Sequence, residues 1–354
     1  MYPSVKVNID GLNDNIRQVK KLCHSQNIKL SFVVKALSGN TNIISKLDLN
    51  NFDSISDSRV ENLKDYQDLN IEKWLIRVPA FSEIEDVIRY SDASLNSSLE
   101  TILLLNEEAR KQNKVHKIIL MYELGDLREG VNYDKLAIIV EKVKDLPNIK
   151  LYGIGSNLTC YGGIAPSLEN TNELYEVKEK IERTYNIRLD VVTGANSSSY
   201  KLLLNGSLKD KMNYVRFGES ILLGMIPGYY EEIPNLHKDN FIIEAEIIEL
   251  EEKPSFPRGE ILKNSFGEIP TFEDKGLRLK ALINLGKQDT GLNLKPIDKN
   301  IKILDGSSDY IILDLTGCEK KYSLGDKIEF IPNYEALLKV MTSKYVKKII
   351  VKKN

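Results

Sequence analysis

Lys35 closes an apolar run, Phe32-Val33-Val34-Lys35-Ala36. A lysine at such a strand end carries its amine past the apolar stretch, and partial burial favours the neutral amine, a nucleophile toward an aldehyde. Taken alone, the pattern equally describes a lysine whose stem packs while its head reaches water. Two turns give it company: Thr193-Gly194-Ala195-Asn196-Ser197 and Arg216-Phe217-Gly218-Glu219-Ser220. Gly194 and Gly218 let backbone N–H groups approach an anion. Asn196 and Ser197 add side-chain donors ahead of a short helical run. Each turn by itself is an ordinary strand-to-helix junction with an N-cap; both together, with the lysine, suit a phosphate-bearing aldehyde. Arg216 is permanently protonated and can only donate. Set against the ring nitrogen of pyridoxal phosphate, it leaves that nitrogen unprotonated and weakens the ring as an electron sink, which suits removal and return of a proton at Cα. The plainer reading is an ion-paired arginine at a strand end.

These residues need a scaffold that gathers strand ends. Short β-branched apolar runs recur at residues 30–35, 52–56, 73–78, 92–95, 117–123, 150–156, 189–193 and 213–217. Between them apolar residues fall at three- and four-residue spacing, as at Ile16, Val19 and Cys23, or Leu99, Leu103, Leu104 and Ala109. Strand then helix, repeated over the first two thirds of the chain, predicts an α/β fold of the (β/α)8 TIM-barrel type, with an open doubly wound sheet as the rival. In such a barrel the site lies at the C-terminal strand ends. Those ends carry Lys35, Ser156-Asn157 and the two turns above. The pattern then changes. Runs at 242–250, 277–285, 301–304, 310–315 and 327–331 are strand-like and separated by Gly, Pro and Asp turns, and only 334–341 reads as a helix. The expected organisation is a barrel over residues 1–236 and a mostly-β C-terminal domain over 237–354. A first strand near 5–9 could pair with either. The Lys-rich stretch 344–348 reads as an edge strand.

Composition narrows the classes. With 42% hydrophobic and 28% charged residues and a net charge of −2, nothing selects for nucleic acid or an anionic membrane surface. Three scattered cysteines give neither a disulfide framework nor a zinc spacing, so a cytoplasmic location is the simplest expectation. No secretory leader and no membrane-spanning run is read.

With these residues in view the chain resembles the alanine racemase family of fold-type III pyridoxal-phosphate enzymes. Val33-Val34-Lys35-Ala36 looks like the family's lysine motif, and Gly194-Ala195-Asn196-Ser197-Ser198 like its phosphate loop. Arg216-Phe217-Gly218-Glu219 is similar to its Arg-x-Gly segment. Asn333-Tyr334-Glu335 looks like the segment whose tyrosine binds the phosphate, and Gly125 to Val131 like its Gly-x-x-Arg-x-Gly-Val segment. Four further segments look most like the ornithine-racemase branch: Asp57-Ser58-Arg59-Val60-Glu61-Asn62, Asn157 to Gly163, Gly286-Lys287-Gln288-Asp289 and Gly306-Ser307-Ser308-Asp309. The resemblance implies a racemase that carries pyridoxal 5'-phosphate as a Schiff base on Lys35. The cofactor would be bound by Asn157, Asn196, Ser197, Arg216, Gly218, Glu219 and Tyr334, with no metal. It also implies a head-to-tail homodimer. Arg128, Ser308 and Asp309 would bind the amino-acid substrate, and Asp309, Asp289 or Glu123 would meet a distal ammonium such as ornithine's.

Several positions depart from the family. Asn157 stands where alanine racemases have a histidine, Ser38 near a phosphate-binding tyrosine, Met121 in place of a lysine, and Ser308 in place of a methionine. Where the family has its second acid/base tyrosine, the matching stretch Lys253-Pro254-Ser255-Phe256 offers Phe256, which carries no proton. Cys160, Tyr161 and Lys287 are the alternatives, each with a plain packing role as its competitor. A racemase for alanine, serine or lysine is the nearest rival. A metal-dependent aldolase or dehydratase on the same fold is disfavoured by the three isolated histidines. A barrel-only cofactor carrier is disfavoured by the long β domain, and a binding protein without the cofactor stays open.

Overall fold

The computed structural model describes residues 2–352. The chain divides into two compact units: Asp10–Lys238, and the residues up to Ile9 together with those from Asp239 onward.

In the first unit, the parallel strands are β2 (Lys29–Val33), β3 (Ser54–Asp57), β4 (Glu72–Leu75), β5 (Ala93–Asn96), β6 (His116–Met121), β7 (Ile149–Gly155), β8 (Val191–Thr193), β9 (Ala195–Asn196) and β10 (Tyr214–Phe217). β1 (Ser4–Asn8) belongs to the other unit. The order along the sheet is β8-β7-β6-β5-β4-β3-β2-β10-β9. β8 and β9 flank Gly194, β8 pairs with β7, and β9 pairs with β10. The sheet therefore returns on itself through one broken strand, and all eight expected barrel strands are present. The break falls at a glycine because a Cβ there would stand 2.7 Å from both Leu174 and the Ser156 hydroxyl. Inside, Trp74, Ala93, Leu95, Ile119, Met121, Val191 and Tyr214 form a buried core, with the Trp74 and Tyr214 rings 4.6 Å apart. Burying each large side chain stabilises by about 1.5–3 kcal/mol. Met121 is thus barrel filling.

The helix Ile9–His24 buries Leu12, Ile16, Val19 and Cys23, as their spacing predicts. The helix Leu99–Lys111 differs from expectation. It buries Thr101, Ile102, Leu105 and Ala109 and turns Leu103 and Leu104 outward. Four consecutive apolar residues, Ile102 to Leu105, leave the phase unspecified. The Ser98 cap, accepting from the Thr101 N–H, goes with the phase observed. Past the barrel strands, β11 (Met225–Ile226) and β12 (Glu231–Glu232) form a small antiparallel ladder.

The second unit is built on β13 (Phe241–Pro254), β14 (Leu277–Ile283), β15 (Leu294–Pro296), β16 (Lys302–Gly306), β17 (Ile311–Asp314), β18 (Lys327–Pro332) and β19 (Lys347–Val351), in the order β15-β18-β13-β14-β17-β16. A register shift between Ile247 and Glu249 lets β13 change partners, pairing with β18 before it and mainly with β14 after it. β1 lies antiparallel to β13 and parallel to β19, so the division expected as 1–236 and 237–354 gives way at its start. The reason is pairing: Val5 and Val7 are wholly buried in ladders with residues more than 230 positions away. The tail strand begins at Lys347, a little later than expected. No helix among the described residues is long and apolar enough to cross a membrane.

Candidate active site

The barrel unit gathers its expected residues at the C-terminal strand ends. β2 stops at Val33, the Val34 N–H donates to the Ser56 carbonyl at 2.8 Å, and Lys35 opens a single 3-10 turn, Lys35–Leu37, closed by Ser38 in the left-handed conformation (φ 50). Ala36 and Leu37 are buried and Lys35 is half-buried. Two carboxyl groups flank it along the row of strands, because β10, β2 and β3 are neighbours. Glu219 follows β10. Burial pushes its carboxyl up to about 7, while the Lys35 charge pulls the other way. Asp57 ends β3 and is wholly buried, which pushes it up to about 6 against the hydrogen bonds it accepts and the Lys35 charge. Asp57 carried no role in the sequence reading, although its segment was singled out. A carboxylate that closes a strand two residues past its last apolar residue, Ile55, was the available signal.

Arg216 is 4% exposed. It donates through Nη1 to the Thr193 carbonyl (2.6 Å) and hydroxyl (2.9 Å), and through Nη2 to the Ser156 carbonyl (2.7 Å). Burial lowers it to about 10, so it stays charged at neutral pH. No carboxylate is bonded to it in these contacts, so it is a cation held by strand-end carbonyls and not the ion-paired arginine of the plainer reading. Beside it the two turns meet at Ser197. The Gly218 and Ser220 N–H groups donate to Ser197 Oγ at 3.1 and 3.2 Å, and the Ser220 hydroxyl lies 3.1 Å from it. Gly218 is needed because a Cβ would stand 2.9 Å from the Val33 carbonyl oxygen.

Asn157 and Asn196 form the opposite wall. Asn196 Nδ2 donates to Asn157 Oδ1 (3.1 Å) and the Leu158 carbonyl (2.7 Å). Asn157 Nδ2 reaches Cys160 Sγ (3.1 Å) and Glu129 (3.3 Å). The loop of Cys160 is tied down by buried Asp126, which accepts the Cys160 and Tyr161 N–H groups. Tyr161 itself is 75% exposed. Arg128 is exposed and pairs with Glu129, so it does not present a bare cation to a substrate.

The β unit assembles a second group. Lys287, largely covered, forms an ion pair with Asp305 at 2.7 Å and lies over the Phe266 ring. Its N–H donates to the Ser307 carbonyl, the next residue's to that of Ser308, and Gln288 Nε2 donates to Asp309 at 2.8 Å. The Ser308 hydroxyl donates to Asp309 at 2.6 Å. Gly286 is compulsory there, since a Cβ would overlap the Ser308 carbonyl. Asp289 instead is buried and bonded by Ser343, and Glu123 is folded onto the Gly125 and Leu127 N–H groups. Phe256 is 45% exposed and edge-on to Phe272. Tyr334, half-buried, opens the helix Tyr334–Thr342 behind an Asn333 cap. Among the described residues no group of three His, Cys, Asp or Glu is placed to hold a metal ion.

The sequence profile of the family described as alanine racemase, N-terminal domain, matches residues 7–225. An ornithine racemase of Acetoanaerobium sticklandii is 42% identical over 98% of this chain and 99% of its own length. A lysine racemase of Thermotoga maritima is 34% identical over 99% and 98%. Among solved structures, an alanine racemase from Bartonella henselae with covalently bound pyridoxal phosphate aligns at a TM-score of 0.74 and 19% identity, over 99% of this chain and all of that one.

Proposed function

The chain belongs to the alanine racemase family, and on that premise we propose that it interconverts the L and D forms of ornithine with pyridoxal 5'-phosphate held in the barrel. The observation that carries the cofactor reading is the donor set at neighbouring strand ends: the Gly218 and Ser220 N–H groups and the Ser197 and Ser220 hydroxyls converge, next to a buried arginine and one strand from Lys35. Uncharged donors that already meet at one oxygen suit a phosphate. The Ser156 hydroxyl, buried and without a partner, is a further polar atom by Arg216's acceptor. The residues fit the group. From the barrel, Ser197, Gly218 and Asn196 would hold its phosphate, Arg216 its ring nitrogen, with Asn157 and Glu219 around the ring; Tyr334 is assigned to the phosphate by the family resemblance alone.

When bound, the cofactor supplies the conjugated ring that withdraws electrons from Cα. The protein supplies proton handling. Lys35 Nζ takes the Cα proton on one face or returns it there, and an opposing group does the converse; each such group contributes ~10²–10⁴-fold. We favour Lys287 for the opposing role over Cys160 and Phe256, because Lys287 shares one cluster with Ser308 and Asp309. Asp309, held by Gln288 and Ser308, is the carboxylate we assign to the distal ammonium, since Asp289 and Glu123 are committed elsewhere. Arg128 is assigned the substrate carboxylate only together with Glu129. The reading extends to a cytoplasmic head-to-tail homodimer, which light scattering tests.

A panel of L-amino acids given to the cofactor-loaded protein, scored for the D-enantiomer, decides the substrate. D-ornithine is the expected product. Ornithine left enantiopure while alanine or serine scrambles overturns the assignment. Lysine is the second reading, favoured by the lysine racemase likeness.

A further inference from the structure

We propose that Asp57 is a positioning residue for Lys35: a buried, fixed carboxylate that faces the lysine's charged end and sets where its amine sits. The inference rests on the function above for its catalytic meaning, but its test needs no cofactor. Three observations carry it. First, the register: Val33 pairs with Ser56 and the Val34 N–H bonds the Ser56 carbonyl, so the residues that leave these strands, Lys35 and Asp57, emerge side by side. Second, the carboxylate is fixed. The Arg59 N–H donates to Oδ1 at 3.0 Å, and Asn62 Nδ2 reaches Oδ1 and Oδ2 at 3.0 and 3.1 Å. These partners all donate, which suits an ionised acceptor. Third, a group with no exposed surface is an expensive place for a charge unless a cation answers it, and Lys35 is the charge that draws Asp57 down.

The other groups around Asp57 do not replace that role. Tyr66 is a buried phenol whose ionisation is pushed up by burial and by Asp57. Asp65 lies near Gly39, past the Lys35 turn, and, like Glu219 on the other side of Lys35, is a carboxyl group and cannot supply the cation that Asp57 faces. A carboxylate serving only to staple the Arg59–Asn62 turn would make the same local bonds but would be indifferent to the lysine. The two roles therefore separate on whether Asp57 and Lys35 sense one another.

The experiment uses the full cofactor-free chain. Carbon-13 NMR of labelled aspartate follows the Asp57 carboxyl in wild type and in Lys35→Met. Loss of the lysine charge is expected to weaken acid ionisation at Asp57 by roughly tenfold, the lower end of what an adjacent opposite charge does. An unchanged titration overturns the proposal. In parallel, an amine-directed reagent labels Lys35, read by peptide mass spectrometry. Asp57→Asn is expected to change the Lys35 labelling rate by roughly threefold or more, because the amine loses the charge that positions it, and Asp57→Glu to return within about twofold of wild type by the same charge argument. A folded Asp57→Asn that labels at the wild-type rate overturns the proposal. If that variant does not fold, the Lys35→Met titration decides alone. Failure of the wild-type protein to take up pyridoxal phosphate would sink the functional reading while leaving both measurements interpretable.

Discussion

Replacing Arg216 by lysine keeps the charge and removes the fork, and the structure lets the consequence be sized. Arg216 ties the end of β7 to the end of β8 by donating to the Ser156 carbonyl with one terminal nitrogen and to Thr193 with the other. An ammonium is a single point with a shorter reach, so it serves one strand end and deserts the other. The Thr193 carbonyl still accepts from the Ser156 N–H at 3.2 Å, so the loss falls on the buried end of β7 when the ammonium stays with Thr193 and deserts the Ser156 carbonyl. One buried carbonyl left without a donor costs about 1–3 kcal/mol. The expected loss for Arg216→Lys is therefore about 2 kcal/mol. The chain's only tryptophan, Trp74, lies in the barrel core, so its fluorescence reports that unit's unfolding in urea. The midpoint should fall with an unchanged slope. If Arg216 serves the ring nitrogen as proposed, the same variant should also bind pyridoxal phosphate more weakly and show altered imine absorbance. A wild-type midpoint, within about 0.5 kcal/mol, would mean that the three bonds hold nothing that water does not, and the account of Arg216 would fall.

Gly218→Ala drives a methyl group to 2.9 Å from the Val33 carbonyl. Phosphate affinity, followed by equilibrium dialysis of pyridoxal phosphate, should drop at least tenfold, the equivalent of ~1.4 kcal/mol; normal uptake would refute the cradle. Lys287→Ala should abolish racemisation while leaving Cα deuterium exchange from one enantiomer, and exchange from both at wild-type rates would exclude Lys287. Asp57 makes a pH-linked contribution. Its folded value, about 6, lies above the ordinary 3.8, so the folded state binds the proton more tightly, and the contribution is present below the ordinary value and lost as pH rises through 6. Buried His116, lowered to about 3, acts with the opposite sign over much of that window. The comparison is therefore wild type against Asp57→Asn: the stability difference between them should change between pH 4 and 7, and a flat difference would refute the shift.

The barrel was legible because its strands are short apolar runs with glycine-marked exits, and the β domain because Gly, Pro and Asp turns punctuate it. The placement of Lys35, Arg216 and Ser197 at strand ends was legible for a related reason: strand ends in a parallel barrel are where chemistry is gathered. What composition and spacing could not give was partnership. The phase of Leu99–Lys111 was hidden by four apolar residues in a row. The pairing of β1 depended on residues some 235 positions distant. The link between Asp57 and Lys35 needed the β2–β3 register, and the commitments of Asp289 and Glu123 to Ser343 and to loop N–H groups needed the folded loops. Pairing is non-local, and a periodicity read along the chain is blind to it.

The placement of β1 has a consequence for how the chain is made. β1 precedes the barrel in the chain but finds no ladder until β13 follows the barrel, and its parallel neighbour β19 comes later still. The barrel, by contrast, is one uninterrupted stretch, Asp10–Lys238, and can complete itself during synthesis. Assembly is therefore expected to be staggered, with an early α/β nucleus preceded by a waiting strand that the later β unit captures. Deleting β1 or β19 should injure the same sheet.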